Sequence, residues 1–170
     1  HMSDKRWTED ASYWDQFYQE TERMGPSPFA EFTVNRTSES NTILDLGCGD
    51  GRDAVYFHQQ GYSVIGIDRS EVAIENLRLL ELDDATFKNQ DFTQLDGTLD
   101  FDIAYARFSL HSVDSETRTD VLNWCYNHLP VGGKLFVEVR SLNDDLYGNG
   151  TKVGENAFVT DHYRCFVDAE

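Results

Sequence analysis

Ile43-Leu44-Asp45-Leu46-Gly47-Cys48-Gly49-Asp50-Gly51-Arg52-Asp53 is the stretch that decides the fold. Thr42 to Leu46 is a short apolar run, as expected of a buried strand, and a helix is predicted from about Arg52 to Gln60. Glycines 47, 49 and 51 therefore stand between a strand and a helix. In a parallel sheet that is the carboxyl edge of the strands, where ligands bind at the topological switch point. Lacking Cβ atoms, these residues permit positive φ and a close approach of main chain to ligand. A tight βα turn without a ligand would satisfy the same pattern taken alone.

Outward from this turn the chain alternates. Gly61 stands where a left-handed helix cap is wanted. Tyr62 to Ile67 is a second strand, and Ser70 caps a helix whose apolar stripe is Ala73, Ile74, Leu77 and Leu80. Ala85 to Gln90 is a weaker third strand, and Phe101 to Ala106 the fourth. Asp114 or Ser115 caps a helix carrying Val121, Leu122, Trp124, Cys125 and Leu129. Pro130-Val131-Gly132-Gly133 then turns the chain into a fifth strand, Lys134 to Val139. Strands separated by helices imply parallel pairing with right-handed crossovers, hence an α/β, doubly wound, mainly parallel sheet.

The flanks differ. His1-Met2 reads as a tag remnant with the start codon, and residues 3–40 as an N-terminal helical cap. Within it Trp7, Trp14, Phe17 and Tyr18 recur near helical spacing up to Gly25-Pro26-Ser27-Pro28. A short helix from Pro28 carries Phe29, Phe32 and Val34, and Asn35 to Asn41 is a polar linker. Residues 41–140 form the core. Residues 141–170 are predicted as loop and C-terminal tail, with Asp161 to Asp168 as the run-in to a helix.

The glycine turn has company. Asp68 ends the second strand about 20 residues beyond it, the spacing at which a carboxylate accepts hydrogen bonds from ribose hydroxyls. Asp91 ends the third. Two nucleotide chemistries use such geometry. A dinucleotide brings its pyrophosphate to a helix N-terminus, but here the third glycine comes one residue early. Asp45 and Asp50 also flank the turn with negative charge, which repels a pyrophosphate and attracts a ligand bearing ammonium and sulfonium groups. The charge favours S-adenosylmethionine over NAD.

Ile43 to Asp53 resembles motif I of the class I S-adenosylmethionine-dependent methyltransferases, commonly D-x-G-C-G-x-G. Ile65-Gly66-Ile67-Asp68-Arg69-Ser70 resembles the family's acidic strand end, and Asp91-Phe92 its adenine-contacting position. Phe101 to His111 resembles the fourth strand with its exit loop. Leu129-Pro130-Val131-Gly132-Gly133-Lys134-Leu135 resembles the L-x-P-G-G-x-L turn, with Val131 as a departure. The resemblance spans residues 40 to 140 in order and implies a Rossmann-like sheet of strand order 3-2-1-4-5. It also implies that the family's last two strands are missing or truncated here.

Carried onto this sequence, the resemblance implies that Asp45, Gly47 and Gly49 line the methionine moiety, with Cys48 in the turn and Asp50 beside it. It implies that Asp68 holds the ribose diol, that Arg69 stacks near the adenine, that Asp91 meets the adenine amino group and that Phe92 supplies an amide or an apolar wall. Arg107 is implied beside the methyl group. Gly-Cys-Gly-x-Gly-Arg is similar to the tellurite-resistance type of methyltransferase, which implies Arg52 near the active site; a surface helix residue is the plainer alternative. An N-terminal helix before strand one resembles the cap of small-molecule methyltransferases, with Tyr13, Trp14 and Tyr18 as lid or core. His111, just after the fourth strand, is the best-placed base for a hydroxyl acceptor, against a structural histidine in the loop.

Bulk properties narrow the partners. The 170 residues suffice for one domain. Fourteen Lys and Arg against 31 Asp and Glu leave a net charge of −17, with no basic run, so nucleic acid and anionic membranes are repelled. No Asp/Asn-Pro-Pro-Tyr follows strand four, which argues against adenine or glutamine amino methylation. A small molecule, sugar or lipid-linked acceptor is expected. Cys48, Cys125 and Cys165 suggest neither a metal site nor a disulfide framework, and no apolar run approaches the ~20 residues of a membrane span. The expected location is the cytoplasm.

Strand five would be left with a bare edge. Either the chain is a fragment of a longer protein, or the edge is covered by the tail or by a partner subunit in a homodimer. A non-catalytic S-adenosylmethionine- or S-adenosylhomocysteine-binding module and an NAD-binding Rossmann domain are the rival classes.

Overall fold

A computed structural model describes residues 23–91, 94–95, 97–109, 114–140, 151–154, 157–159 and 162–168. Its centre is β1 (Thr42–Leu46), which pairs in parallel with β2 (Ser63–Asp68) on one side and β4 (Ile103–Ser109) on the other. β3 (Ala85–Asn89) adds in parallel beyond β2, and β5 (Lys134–Arg140) beyond β4. The order 3-2-1-4-5 predicted from the sequence is therefore present.

The reversal of strand order beside β1 divides the helices between two faces. α1 (Pro28–Val34), α2 (Arg52–Gln59) and α3 (Glu71–Arg78) share one face, where Phe29, Phe57, Ile74 and Leu77 pack on Ile43, Val64, Tyr105 and Phe136. α4 (Ser115–His128) covers the other, with Val121 and Cys125 against Leu44, Ile67, Ala104 and Val137. Both faces are dry because each strand alternates its side chains between two apolar layers.

The helix starts follow their side chains. Ser27, Ser70 and Asp114 each accept a backbone amide of the first turn, from Ala30, Ala73 and Thr117 respectively. The stripe on α3 is one residue shorter than predicted: Ala73, Ile74 and Leu77 are buried, but the helix stops at Arg78 and leaves Leu80 exposed. The expected helix through Trp7 and Trp14 lies outside the described residues.

The C-terminal reading requires correction. In place of a loop and a helix run-in, the segment forms β6 (Thr151–Gly154), β7 (Ala157–Val159) and β8 (His162–Asp168). β8 lies antiparallel along β5 from Lys134↔Asp168 to Arg140↔His162, and the sheet continues through β7 to β6. The closing strands are thus present, not missing or truncated, and the tail covers the β5 edge. This removes the premise of a homodimer through a bare fifth strand. Two residues separate β6 from β7 and β7 from β8. Such connections suit hairpins, and the aromatic and β-branched residues of Phe158-Val159 and Tyr163 to Val167 suit strands. The three glycines at 148, 150 and 154 masked that signal.

Candidate functional site

The β1–α2 turn and the end of β2 are stitched together. The amides of Gly47 and Cys48 both donate to the Ile67 carbonyl, at 2.7 and 3.0 Å. Gly47, Gly49 and Gly51 take φ of 74°, 56° and 87°, the left-handed region that favours glycine. At Gly51 the need is double, since a Cβ there would stand 2.3 Å from Leu77 Cδ2. Asp68, buried at the end of β2, accepts the Gly49 amide on Oδ2 at 2.9 Å and the Ser70 amide on Oδ1 at 2.8 Å.

Asp45, in β1 directly before this turn, is buried, and its Oδ2 has no hydrogen-bond partner among the described residues. Burial raises its pKa well above the ordinary carboxylate range; the nearby Asp53 and Asp68 carboxylates add to the rise and Arg107 opposes it. Asp53, in the first turn of α2, is buried and hydrogen-bonded through both oxygens. Its Oδ1 accepts the Ser27 amide at 2.8 Å, and its Oδ2 accepts the hydroxyls of Ser27 at 2.7 Å and Tyr105 at 2.6 Å. Arg107 Nη1 stands 3.8 Å from the same oxygen, while Arg107 Nε donates to Glu138 Oε1 at 2.8 Å. Burial lowers the Arg107 pKa, but Glu138, Tyr105 and Asp53 together offset this and the net shift is upward. The Tyr105 hydroxyl is pushed well up by burial and then by Asp53, so it stays a donor. Two buried carboxylates, Asp53 and Glu138, therefore hold the Arg107 guanidinium, and a third, Asp45, lies within its electrostatic range.

The structure brings Asp45, Gly47, Gly49, Asp50 and Asp68 around one turn, with Arg69 half-buried beside it and Asp91 following β3, the neighbour of β2. Asp50 is held by its own backbone: Oδ1 accepts the Arg52 amide at 3.1 Å, and burial raises its pKa. Three of the expected site residues are engaged within the chain itself. Cys48 lies in the turn, but its side chain is buried in the core; its Sγ is 3.0 Å from where a Gly66 Cβ would be, so its part in the turn is played by main chain. Arg52, read either as near the active site or as a surface helix residue, donates from Nε to the Gly25 carbonyl at 2.8 Å and ties residues 23–27 to the start of α2. Arg107, expected beside the methyl group, is engaged by Glu138 and Asp53. His111, Phe92, Tyr13, Trp14 and Tyr18 lie outside the described residues.

Ser27, Asp53, Tyr105 and Glu138 were not singled out from the sequence, where Ser27 reads as a turn residue and Tyr105 as strand filler. Only Glu138, a lone acid inside the apolar run Leu135-Phe136-Val137-Glu138-Val139, carries a visible signal. Among the described residues no group of acids, histidines and cysteines could hold a metal ion, and no helix is long and apolar enough to cross a membrane.

The donor set fits a positively charged nucleoside. A buried carboxylate with an oxygen unpartnered among the described residues precedes the glycine turn, and a second buried carboxylate, Asp68, ends the neighbouring strand. A pyrophosphate fits poorly, because the Asp50 carboxylate already takes the first amide of α2. The fold and this turn define a Rossmann-like α/β domain with its ligand site at the switch point. A family model described as "Methyltransferase domain" matches residues 18–169, and the chain belongs to that family.

Among curated relatives, the cypemycin N-terminal methyltransferase of Streptomyces sp is 28% identical over 117 residues, which is 67% of this chain and 48% of that protein. An uncharacterized methyltransferase of Synechocystis sp. is 28% identical over 113 residues, 66% of this chain and 51% of its own length. The chain thus spans about half the length of the curated relatives it matches. Among solved structures, the Burkholderia thailandensis 1,6-didemethyltoxoflavin-N1-methyltransferase, with 1,6-didemethyltoxoflavin and S-adenosylhomocysteine bound, superposes with a TM-score of 0.63 at 22% identity, covering 90% of this chain and 66% of that one. At such identity the likeness concerns the fold.

Proposed function

We propose that this chain binds S-adenosylmethionine and transfers its methyl group to a small-molecule, sugar or lipid-linked acceptor. The observation that carries the proposal is the buried, unpartnered Oδ2 of Asp45 beneath the glycine turn, paired with Asp68 one strand away. An oxygen left without a donor in a dry site is costly unless a ligand supplies one. In this reading Asp45 faces the amino acid end of the cofactor and Asp68 accepts from the ribose hydroxyls. Gly47 and Gly49 let the main chain approach, and Asp91 with Phe92 meets the base.

When bound, the cofactor supplies an activated methyl group whose carbon–sulfur bond breaks as the acceptor forms its own bond to carbon. The chain's task is alignment and exclusion of water. The buried acids Asp45, Asp53, Asp68 and Glu138 outnumber the Arg107 guanidinium at this end of the sheet, so a cationic ligand that draws the Asp45 proton off is favoured. For a hydroxyl acceptor, His111 is the proposed base, shortly beyond the end of β4. The surface charge of −17 supports an acceptor that is not a polyanion.

Calorimetric titration with S-adenosylhomocysteine and with NAD separates the binder types: heat with the first and none with the second is expected. Methyl transfer to a panel of small hydroxyl and amine acceptors then separates an enzyme from a non-catalytic module. Binding without turnover on any acceptor would favour the module.

A further inference from the structure

Asp45 Oδ2 has no hydrogen-bond partner among the described residues, although a guanidinium stands within electrostatic range. The sheet shows why this needs explanation. Arg107 lies on the middle strand of three, β1–β4–β5. Glu138 is its direct register partner on β5, and Asp45 is opposite Tyr105 on β1, one diagonal step from Arg107 on the same face. Diagonal neighbours on a sheet face lie about 7–8 Å apart, within the reach of a long side chain. Two buried carboxylates therefore compete for one arginine. The structure resolves the competition on the β5 side: Nε donates to Glu138 at 2.8 Å, and Asp53 holds Nη1 from above at 3.8 Å.

We propose that Glu138 and Asp53 act as positioning residues that sequester Arg107 and so reserve the Asp45 carboxylate for the cation of the ligand. The inference rests on the proposed cofactor site and adds a task for residues that line no ligand contact. Glu138 is buried inside β5, where an isolated charge is hard to sustain, and its ion pair does more than neutralise it. Without Glu138, Arg107 would close on Asp45 and occupy the position the ligand needs. Among the described residues, the charged groups that act on Asp45 are Asp53 from α2, Arg107 from β4 and Asp68 from β2, with the neutral Cys48 and Tyr105 also close. Among them Arg107 is the cation that competes with the ligand.

The test is calorimetry with S-adenosylhomocysteine on the whole chain, at one pH where all variants are folded by circular dichroism. Glu138→Gln keeps the shape but not the charge, and affinity is expected to fall roughly 10–100-fold as Arg107 turns to Asp45. Glu138→Gln combined with Arg107→Met removes the competitor with its keeper, and most of the lost affinity is expected to return. A merely structural role for Glu138 predicts no such recovery. Asp53→Asn should act in the same direction by a smaller factor, because its contact to Arg107 is longer, and it serves where Glu138→Gln does not fold. Unchanged affinity in Glu138→Gln, or a double variant as weak as the single one, would overturn the sequestering role while leaving the cofactor site standing. Absence of heat with the wild-type protein would overturn both.

Discussion

Replacing Asp45 with Asn removes one charge from a buried site and should pull stability and binding in opposite directions. The folded protein holds the Asp45 pKa well above its unfolded value, through burial first and then its acidic neighbours. The folded state thus keeps a proton that the unfolded state gives up. Below the unfolded pKa the two states are alike, and the group causes no penalty. As pH rises towards the folded pKa a penalty accumulates, and above it the full penalty remains. Every tenfold weakening of the acid in the folded state is about 1.4 kcal/mol, which for a domain of this size is roughly 3–6 °C of Tm. Asp45→Asn should therefore match wild type near pH 4 and melt higher at neutral pH, in the absence of ligand. Binding should suffer: a unit charge about 4 Å from a cation at an effective dielectric of about 20 is worth about 4 kcal/mol. Allowing for the proton the ligand must displace, a loss of roughly 10–100-fold in affinity for S-adenosylmethionine is expected. Thermal melts across pH 4 to 8 and calorimetry on the same samples measure both. A variant that melts lower at every pH, or binds as well as wild type, would refute the assignment of Asp45.

Other consequences can be checked alongside. Asp68→Ala strands the Gly49 and Ser70 amides and removes the ribose acceptor, so titration should find affinity for S-adenosylhomocysteine lost and unfolding easier by about 1–3 kcal/mol. Gly51→Ala asks for a left-handed φ and meets Leu77, and denaturant unfolding should show a loss of about 1–3 kcal/mol; a change under about 0.5 would contradict the packing described. Burial pushes the Cys125 thiol up to about 12 and Cys48 well above its ordinary value. In a Cys165→Ser background the native protein should therefore give no colour with a disulfide thiol reagent at pH 8, and two thiols after denaturation.

Much of the fold was legible because its signals are local. Ser70 and Asp114 cap helices by hydrogen bonds to residues three positions on, so their placement needs no tertiary knowledge. The glycines at 47, 49 and 51 announce left-handed backbone wherever they occur between strand and helix. Parallel pairing followed from the alternation of strands with helices, and strand order from the family resemblance. The C-terminal strands were harder, because β8 is made by pairing with β5, and the glycine-bearing stretch before β6 read as loop.

At the site, the sequence by itself determined that Asp45, the glycine turn and Asp68 would meet, since each lies at a strand end on the same sheet edge. Only the tertiary structure decided which groups Asp45 would not meet. Ser27, Asp53, Tyr105, Arg107 and Glu138 come from four separate segments, and their pairing depends on which face each strand residue takes and on how deeply it is buried. Coulomb attraction in a dry interior is set by ångströms between groups far apart in the chain, and no periodicity along the sequence encodes that distance.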